Sequence, residues 1–209
     1  ALGVVVPRWL ETDPGRVTPG NIKRQLRKST VAVGVSLVDY RTGHLVDLEG
    51  IRQVIGDRLL IVDAIQGFGI VDAPYEVADV VVAGGQKWVR AGWGTGFLAL
   101  SDRAAETLVP VFSGWNGTDA EGTPTEVLRP ARGARAFSIS NPDPVAQARF
   151  AAALEEISAV GIPAINSKLA ENVSRVIDLA DEFALEVTSA RAEPERAGIV
   201  VVAPEPDQL

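Results

Sequence analysis

Asp63 follows the apolar run Leu59-Leu60-Ile61-Val62, Gln66 lies three residues further on, and Lys87 follows Val80-Val81-Val82-Ala83-Gly84-Gly85-Gln86. In open α/β sheets, ligands bind beyond the carboxyl ends of the strands, so an acid and a lysine at two strand ends are candidates for joint work. A lysine amine condenses with an aldehyde and a carboxylate pairs with a cationic heterocycle, a combination that fits pyridoxal phosphate. The carboxylate keeps the ring nitrogen protonated, and the pyridinium then accepts electrons when a bond to a substrate's α-carbon breaks. The lysine must give way to the substrate amine and then shuttle a proton, which requires it to be neutral part of the time. Gln66 is placed to donate a hydrogen bond to the ring's phenolic oxygen. The plainer reading is an Asp that caps a turn and a solvated Lys after two glycines, and spacing alone favours it.

The elements that must position these residues alternate between strand and helix, the pattern of an α/β domain with a mostly parallel sheet and flanking helices. Residues 4–10 read as a strand, followed by a turn at Thr12-Asp13-Pro14-Gly15. Thr18 is an N-cap with Pro19 at the first helical position, Ile22 and Leu26 on one face, and Lys23, Arg24, Arg27 and Lys28 on a solvated face rather than in an anion site. Residues 30–38 read as a fully buried strand, and Asp47 caps a helix carrying Leu48, Ile51, Val54 and Ile55 that Gly56 ends. Buried strands follow at 59–62 and 80–83, with another at 96–100.

After Asp102 the period fades through Gly114-Trp115-Asn116-Gly117 and Gly122-Thr123-Pro124, which predicts a loop at an edge or interface. Helical periodicity returns at Pro144, with Phe150, Leu154, Ile157 and Val160 on one side and Gly161 as a stop. A second helix carries Ile165, Leu169, Val173, Val176, Ala180 and Phe183, and residues 185–188 and 198–203 read as strands.

Composition narrows the function classes. Among 209 residues, 20 Lys and Arg against 27 Asp and Glu give a net charge of −7, which argues against nucleic-acid binding. Hydrophobic residues at 46% and charged residues at 22% are the proportions of an ordinary globular chain. With no Cys and one His, neither a thiolate nucleophile nor a Cys- or His-rich metal site can form. No apolar run approaches the roughly 18 residues needed to span a bilayer. The opening Ala1-Leu2-Gly3-Val4 has no basic leader, so a cytoplasmic protein is expected, and the lack of any Met is expected of a fragment. Gly92-Trp93-Gly94-Thr95-Gly96 lacks the strand-to-helix setting of a dinucleotide fingerprint. His44 reads as a surface turn residue, and Trp88, Trp93 and Trp115 as core or interface residues ahead of a substrate pocket.

Four segments carry a specific resemblance: Val35-Ser36-Leu37-Val38-Asp39-Tyr40-Arg41-Thr42-Gly43; Leu60-Ile61-Val62-Asp63-Ala64-Ile65-Gln66-Gly67-Phe68-Gly69; Ala78-Asp79-Val80-Val81-Val82-Ala83-Gly84-Gly85-Gln86-Lys87-Trp88; and Gly92-Trp93-Gly94-Thr95-Gly96-Phe97-Leu98. In order and separation they resemble the class V aminotransferase branch of fold type I pyridoxal phosphate enzymes. That branch includes cysteine desulfurases, selenocysteine lyases, kynureninases and isopenicillin N epimerase. The likeness extends over residues 1 to about 185.

The resemblance implies that Asp63 partners the pyridine nitrogen, Gln66 contacts the phenolic oxygen and Lys87 is the Schiff-base lysine. Tyr40 falls where desulfurases carry an Asn near the same oxygen. Gln86 falls where they carry a His, and its amide can bond the cofactor phosphate without replacing that His as acid or base. Gly84 stands where relatives have a phosphate-binding Ser or Thr. Arg135-Ala136-Phe137-Ser138-Ile139-Ser140-Asn141-Pro142 resembles a segment whose Thr reaches the phosphate of the neighbouring subunit. Asn141 takes that place, which implies a homodimer with shared sites.

The resemblance further implies that a phosphate loop and a ring-stacking residue precede Ala1, and that the Arg holding the substrate carboxylate lies near or beyond Leu209. The expected organisation is a cofactor-binding large domain at 1–160 without its N-terminal part, then a linker helix and an incomplete small α+β domain at 161–209. The expected activity begins at the α-carbon of an amino acid, with a lyase, desulfurase-like, epimerase or transaminase outcome. The competing expectation is a truncated, non-catalytic dimerising fragment that holds no cofactor. A hydrolase or phosphotransferase using Asp63 ranks last, for want of a nucleophile elbow or phosphate loop.

Overall fold

The computed structural model describes residues 5–12, 15–119 and 128–203. Helix α1 (Pro19–Gln25) starts as its cap predicts, with Thr18 Oγ1 accepting the Asn21 N–H at 3.2 Å and Lys23 and Arg24 in the last turn. Strand β1 (Ala32–Ser36) leads to helix α2 (Leu48–Ile55), in which Asp47 accepts the Gly50 N–H at 2.8 Å and Gly56 ends the helix at φ +60°. The apolar stripe Leu48, Ile51 and Ile55 is buried. Strands β2 (Leu59–Asp63), β3 (Val80–Gly84) and β4 (Gly96–Leu100) complete a four-stranded sheet in the order β1-β2-β3-β4. The first three run parallel and β4 is antiparallel to β3.

Two expectations about the strands are corrected. Residues 30–38, 59–62 and 96–100 do not form fully buried strands: in β1 and β2 burial alternates, and the edge strand β4 is exposed or half-buried along its length. Val33, Val35, Leu60 and Val62 face the core, whereas Gly34 and Asp63 on the opposite face are exposed. Side chains of a strand point alternately to its two faces, and the described elements pack chiefly on one of them. The expected strand at 4–10 is irregular over its described residues. Pro7 offers no N–H, no described strand lies alongside, and Val6 and Trp9 are exposed. The segment is tied to α1 instead, through reciprocal bonds between Gln25 and Glu11 at 3.0 and 2.7 Å. Of the turn predicted after it, Asp13 and Pro14 lie outside the described residues.

After β4 the sequence does not lose its order at once. Helix α3 (Asp102–Thr107) is capped by Ser101 Oγ, which accepts the Ala104 N–H at 3.1 Å. Residues 108–119 and 128–143 hold short 3-10 turns and one isolated antiparallel bridge, Thr118 with Pro130, and 120–127 of the predicted loop lie outside the described residues. Helices α4 (Pro144–Val160) and α5 (Ile162–Glu182) break at Gly161, whose φ of +85° suits glycine. On α4, Phe150, Leu154 and Ile157 are half-buried, and Val160 is exposed. On α5 the buried positions are Val173, Ile177 and Ala180, while Val176 at 47% and Phe183 at 70% accessibility face outward. Strands β5 (Glu186–Val187) and β6 (Val202–Ala203) form a short antiparallel pair, briefer than the runs predicted for them. Among the described residues no helix is long and apolar enough to cross a membrane.

Candidate active site

Parallel pairing of β1, β2 and β3 brings their carboxyl ends to one edge of the sheet, with Ser36 opposite Asp63 and Asp63 opposite Val82. At that edge Asp63 is exposed. Its Oδ1 accepts the Ile65 N–H at 3.0 Å, a local turn that fixes the carboxylate above the strand end. The backbone beneath is held on both sides, by Leu37 N–H donating to Asp63 O and Ala64 N–H donating to Val82 O, each at 2.8 Å. Gln66 sits half-buried in the tight turn that follows, closed by Gly67 and Phe68 N–H bonds to the Ala64 carbonyl at 2.9 and 2.8 Å.

The chain leaves β3 through Gly84 and Gly85 into the loop that carries Lys87. Gly85 N–H donates to Thr95 O at 3.0 Å, Ala91 N–H to Gly85 O at 2.8 Å, and Arg90 N–H to Lys87 O at 3.0 Å. Thr95 Oγ1 donates to Gly92 O at 2.6 Å, and Arg149 of α4 holds the Trp93 carbonyl at 3.1 Å. Arg90 has φ +62°, a conformation rare for a side-chain-bearing residue, which the bonds around it hold in place. Lys87 is exposed and forms no salt bridge among the described residues. Gln86 is half-buried and folds back over Gly84, so closely that a Cβ there would collide with its carboxamide.

Asp63 and Gln66 therefore leave the end of β2, and Gln86 and Lys87 leave the end of its neighbour β3. Tyr40 belongs to the turn after β1, the next strand along; it is 70% exposed, with the Arg41 guanidinium 5.9 Å from its ring centre. Beside it, burial acts to raise the Asp39 carboxyl, but bonds from the Arg41 side chain and from the Arg41 and Thr42 N–H groups outweigh that and hold it below its ordinary range. Asn141 lies in another cluster, where its Oδ1 accepts from Asn116 Nδ2 at 2.8 Å and Arg135 donates to the Asn116 and Thr118 carbonyls. No described hydrogen bond joins that cluster to the strand ends.

His44 is not the surface residue expected: it is 5% exposed, with Nε2 3.2 Å from the Val17 carbonyl. Trp88 is half-buried on the core, whereas Trp93 and Trp115 are exposed. The sequence reading missed Thr95, which braces the lysine loop, and Asp79, which organises the opposite edge of the sheet. Thr95 had a local signal in its Gly-rich surroundings; the partners of Asp79 are scattered and gave none.

The class V aminotransferase family model matches residues 2–204. Over 200 residues the chain is 31% identical to a kynureninase of Deinococcus radiodurans, a match covering 88% of this chain and 48% of that protein. It is 32% identical over 147 residues to a probable hercynylcysteine sulfoxide lyase of Mycobacterium tuberculosis, covering 69% of this chain and 34% of the relative. The fold matches the apo cysteine desulfurase of Thermococcus onnurineus NA1 with a TM-score of 0.82 at 20% identity, over 94% of this chain and 50% of that one. A cystine C-S lyase, solved with its product cysteine persulfide, matches with a TM-score of 0.79 at 19% identity, over 90% and 51%. The chain spans about half the length of the kynureninase and of both solved enzymes. With a match along nearly its whole length and a fold to go with it, the chain belongs to the class V aminotransferase family.

Proposed function

We propose that this chain is part of a pyridoxal phosphate-dependent enzyme acting at the α-carbon of an amino acid, a homodimer of the cytoplasm. Lys87 is the attachment amine and Asp63 the partner of the ring nitrogen. One observation carries the reading: Asp63 and Lys87 leave the carboxyl ends of two adjacent parallel strands in a chain of this family. The donor set fits the cofactor. Asp63 has one oxygen engaged by the Ile65 N–H and the other without a described partner, and the Lys87 amine is exposed.

When bound, pyridoxal phosphate supplies an electron-withdrawing ring that stabilises negative charge at the substrate α-carbon. The Asp63 carboxylate holds the proton at the ring nitrogen, and Gln66 donates to the phenolic oxygen. Lys87 would hold the cofactor at its aldehyde carbon and, once the substrate amine has displaced it, its freed amine would move a proton at the α-carbon. The Gln86 carboxamide donates to the phosphate; having no titratable group, it leaves acid–base work to Lys87. Tyr40, on the turn after β1, would be the residue nearest the ring's phenolic oxygen besides Gln66. Asn141 reaches the phosphate held by the second subunit, in keeping with its exposed loop outside the strand-end group. Residues 1–160 form the cofactor domain and 161–209 the linker helix and start of the smaller domain. Among outcomes, lyase-type chemistry has support from the relative named as a probable hercynylcysteine sulfoxide lyase.

The test is reductive trapping: protein mixed with pyridoxal phosphate, reduced with borohydride, digested and mapped by mass spectrometry. The lysines are Lys23, Lys28, Lys87 and Lys168, so the readout is unambiguous. A pyridoxyl group on Lys87 is the expected result. Labelling spread over the other three, or none at all, overturns the assignment and leaves a non-catalytic fragment.

A further inference from the structure

Lys87 itself is exposed, but the two residues after it fasten its loop to the core. Val89 is 2% exposed, and Trp88, like Leu169 and Ile199, is partly buried against the core cluster that includes Ala197. The indole rests on Gly198: a Cβ at that glycine would stand 2.9 Å from Cη2 and 3.0 Å from Cζ2 of the ring, and 3.2 Å from Cδ2 of Leu169. The Gly198 backbone lies outside the left-handed region, so space for the ring, and not backbone freedom, is what glycine provides there.

The strip that carries Gly198 is held independently on its other side. Leu45 N–H donates to Glu195 O at 3.0 Å, Ala197 N–H donates to Gly43 O at 3.3 Å, and the Ile199 carbonyl presses on Gly43 where a Cβ would stand. Residues 195–199 thus lie across two turns at once, the one after β1 that carries Tyr40 and the one after β3 that carries Lys87. The Arg90 N–H closes the turn onto the Lys87 carbonyl, so Trp88 sits inside a closed turn one peptide bond from Lys87.

We propose that Gly198 is a positioning residue for Lys87: by seating the Trp88 ring it sets where the Lys87 amine stands at the sheet edge. The functional meaning of this rests on Lys87 being the cofactor lysine; the coupling itself does not. Competitive acetylation with acetic anhydride, followed by mass spectrometry from neutral to alkaline pH, compares Lys87 with Lys168, an exposed lysine paired with Glu171. The purified protein is compared with Gly198→Ala, Trp88→Phe and the double variant.

Gly198→Ala is expected to change the Lys87 rate severalfold, through altered exposure of its amine, with Lys168 unaltered. In the double variant the smaller ring makes room for the new Cβ, and the Lys87 rate returns to within about twofold of Trp88→Phe alone. An unchanged Lys87 rate in Gly198→Ala, or effects that simply add, overturns the proposal. If Gly198→Ala does not fold, the double variant is expected to fold, and its failure to do so is equally fatal. Reductive trapping of the unaltered protein decides the cofactor reading separately, so the two can fail apart.

Discussion

The Asp79 carboxylate accepts the Leu60 amide N–H at 2.8 Å, which pins the start of β3 to β2 at the edge of the sheet opposite Asp63. The same oxygen takes Arg52 of α2 at 2.6 Å, and the other takes Arg103 of α3 at 2.7 Å and Ser101 Oγ at 3.3 Å. Two strands and two helices therefore converge on one side chain that is 7% exposed. Removing one member of a buried, hydrogen-bonded ion cluster strands the others, so Asp79→Ala is expected to cost about 3 kcal/mol by urea unfolding at neutral pH.

The same cluster fixes a pH dependence. Burial acts to raise the Asp79 carboxyl, but Arg103, the Leu60 N–H and Arg52 outweigh it and hold the group below its ordinary range. A depressed folded value means the unfolded chain takes up the proton first. The stability is therefore fully present above about pH 4 and is lost as pH falls through the lower folded value. Urea midpoints between pH 7 and about pH 3 should fall more steeply for the native chain than for Asp79→Asn; parallel curves would remove Asp79 as the cause.

At the other edge, Asp63→Asn and Lys87→Ala should part company. Asparagine keeps the local turn onto the Ile65 N–H but cannot hold a proton on a ring nitrogen, so pyridoxal phosphate should still be trapped on Lys87 while turnover of any amino-acid substrate is lost. Lys87→Ala should abolish the visible absorbance of the lysine-bound cofactor. Retained turnover in Asp63→Asn would count against its role at the ring.

Helix α2 and the ends of β2 and β3 were legible because their signals are local: a capping Asp47, apolar residues at helical spacing, and apolar runs stopping at Asp63 and before Lys87. What the sequence hid is non-local. Residues 5–10 are apolar and β-branched, yet strand propensity without a neighbouring strand makes no strand. His44 follows a Thr-Gly turn that reads as exposed, and it is covered by a strip some 150 residues away in sequence. Asp79 gathers arginines from α2 and α3, 27 and 24 residues off along the chain. Within the site, the strand-end residues follow from topology, whereas Asn141 sits on a loop whose placement no periodicity encodes.

That strip makes Gly43 a sensitive position. Its φ of +72° is strained for any side chain, and a Cβ would meet the Ile199 backbone, which cannot swing aside as a side chain can. Gly43→Ala is expected to cost about 2 kcal/mol, read as a lower melting temperature, and to loosen amide-exchange protection at Leu45 and Ala197 together. Loss at one of those amides alone would mean that the strip is not fastened as a unit.

Helix α5 offers a sharper contrast between pattern and packing. Val176 and Ile177 are adjacent, and the apolar series Leu169, Val173, Val176 and Ala180 places Val176 on the buried face. The helix buries Val173, Ile177 and Ala180, spaced by four and three, with Ile177 6% exposed and Val176 47%. Steps of three and of four both keep to an apolar stripe, so spacing alone admits either residue after Val173; consecutive residues point about 100° apart, and only one of the two can face the core. Ile177→Ala should cost about 2–4 kcal/mol through lost burial and the cavity left behind, whereas Val176→Ala should stay within about 0.5 kcal/mol. Comparable losses at the two positions would mean that α5 is rotated from the orientation described, with its Val176 face against the core.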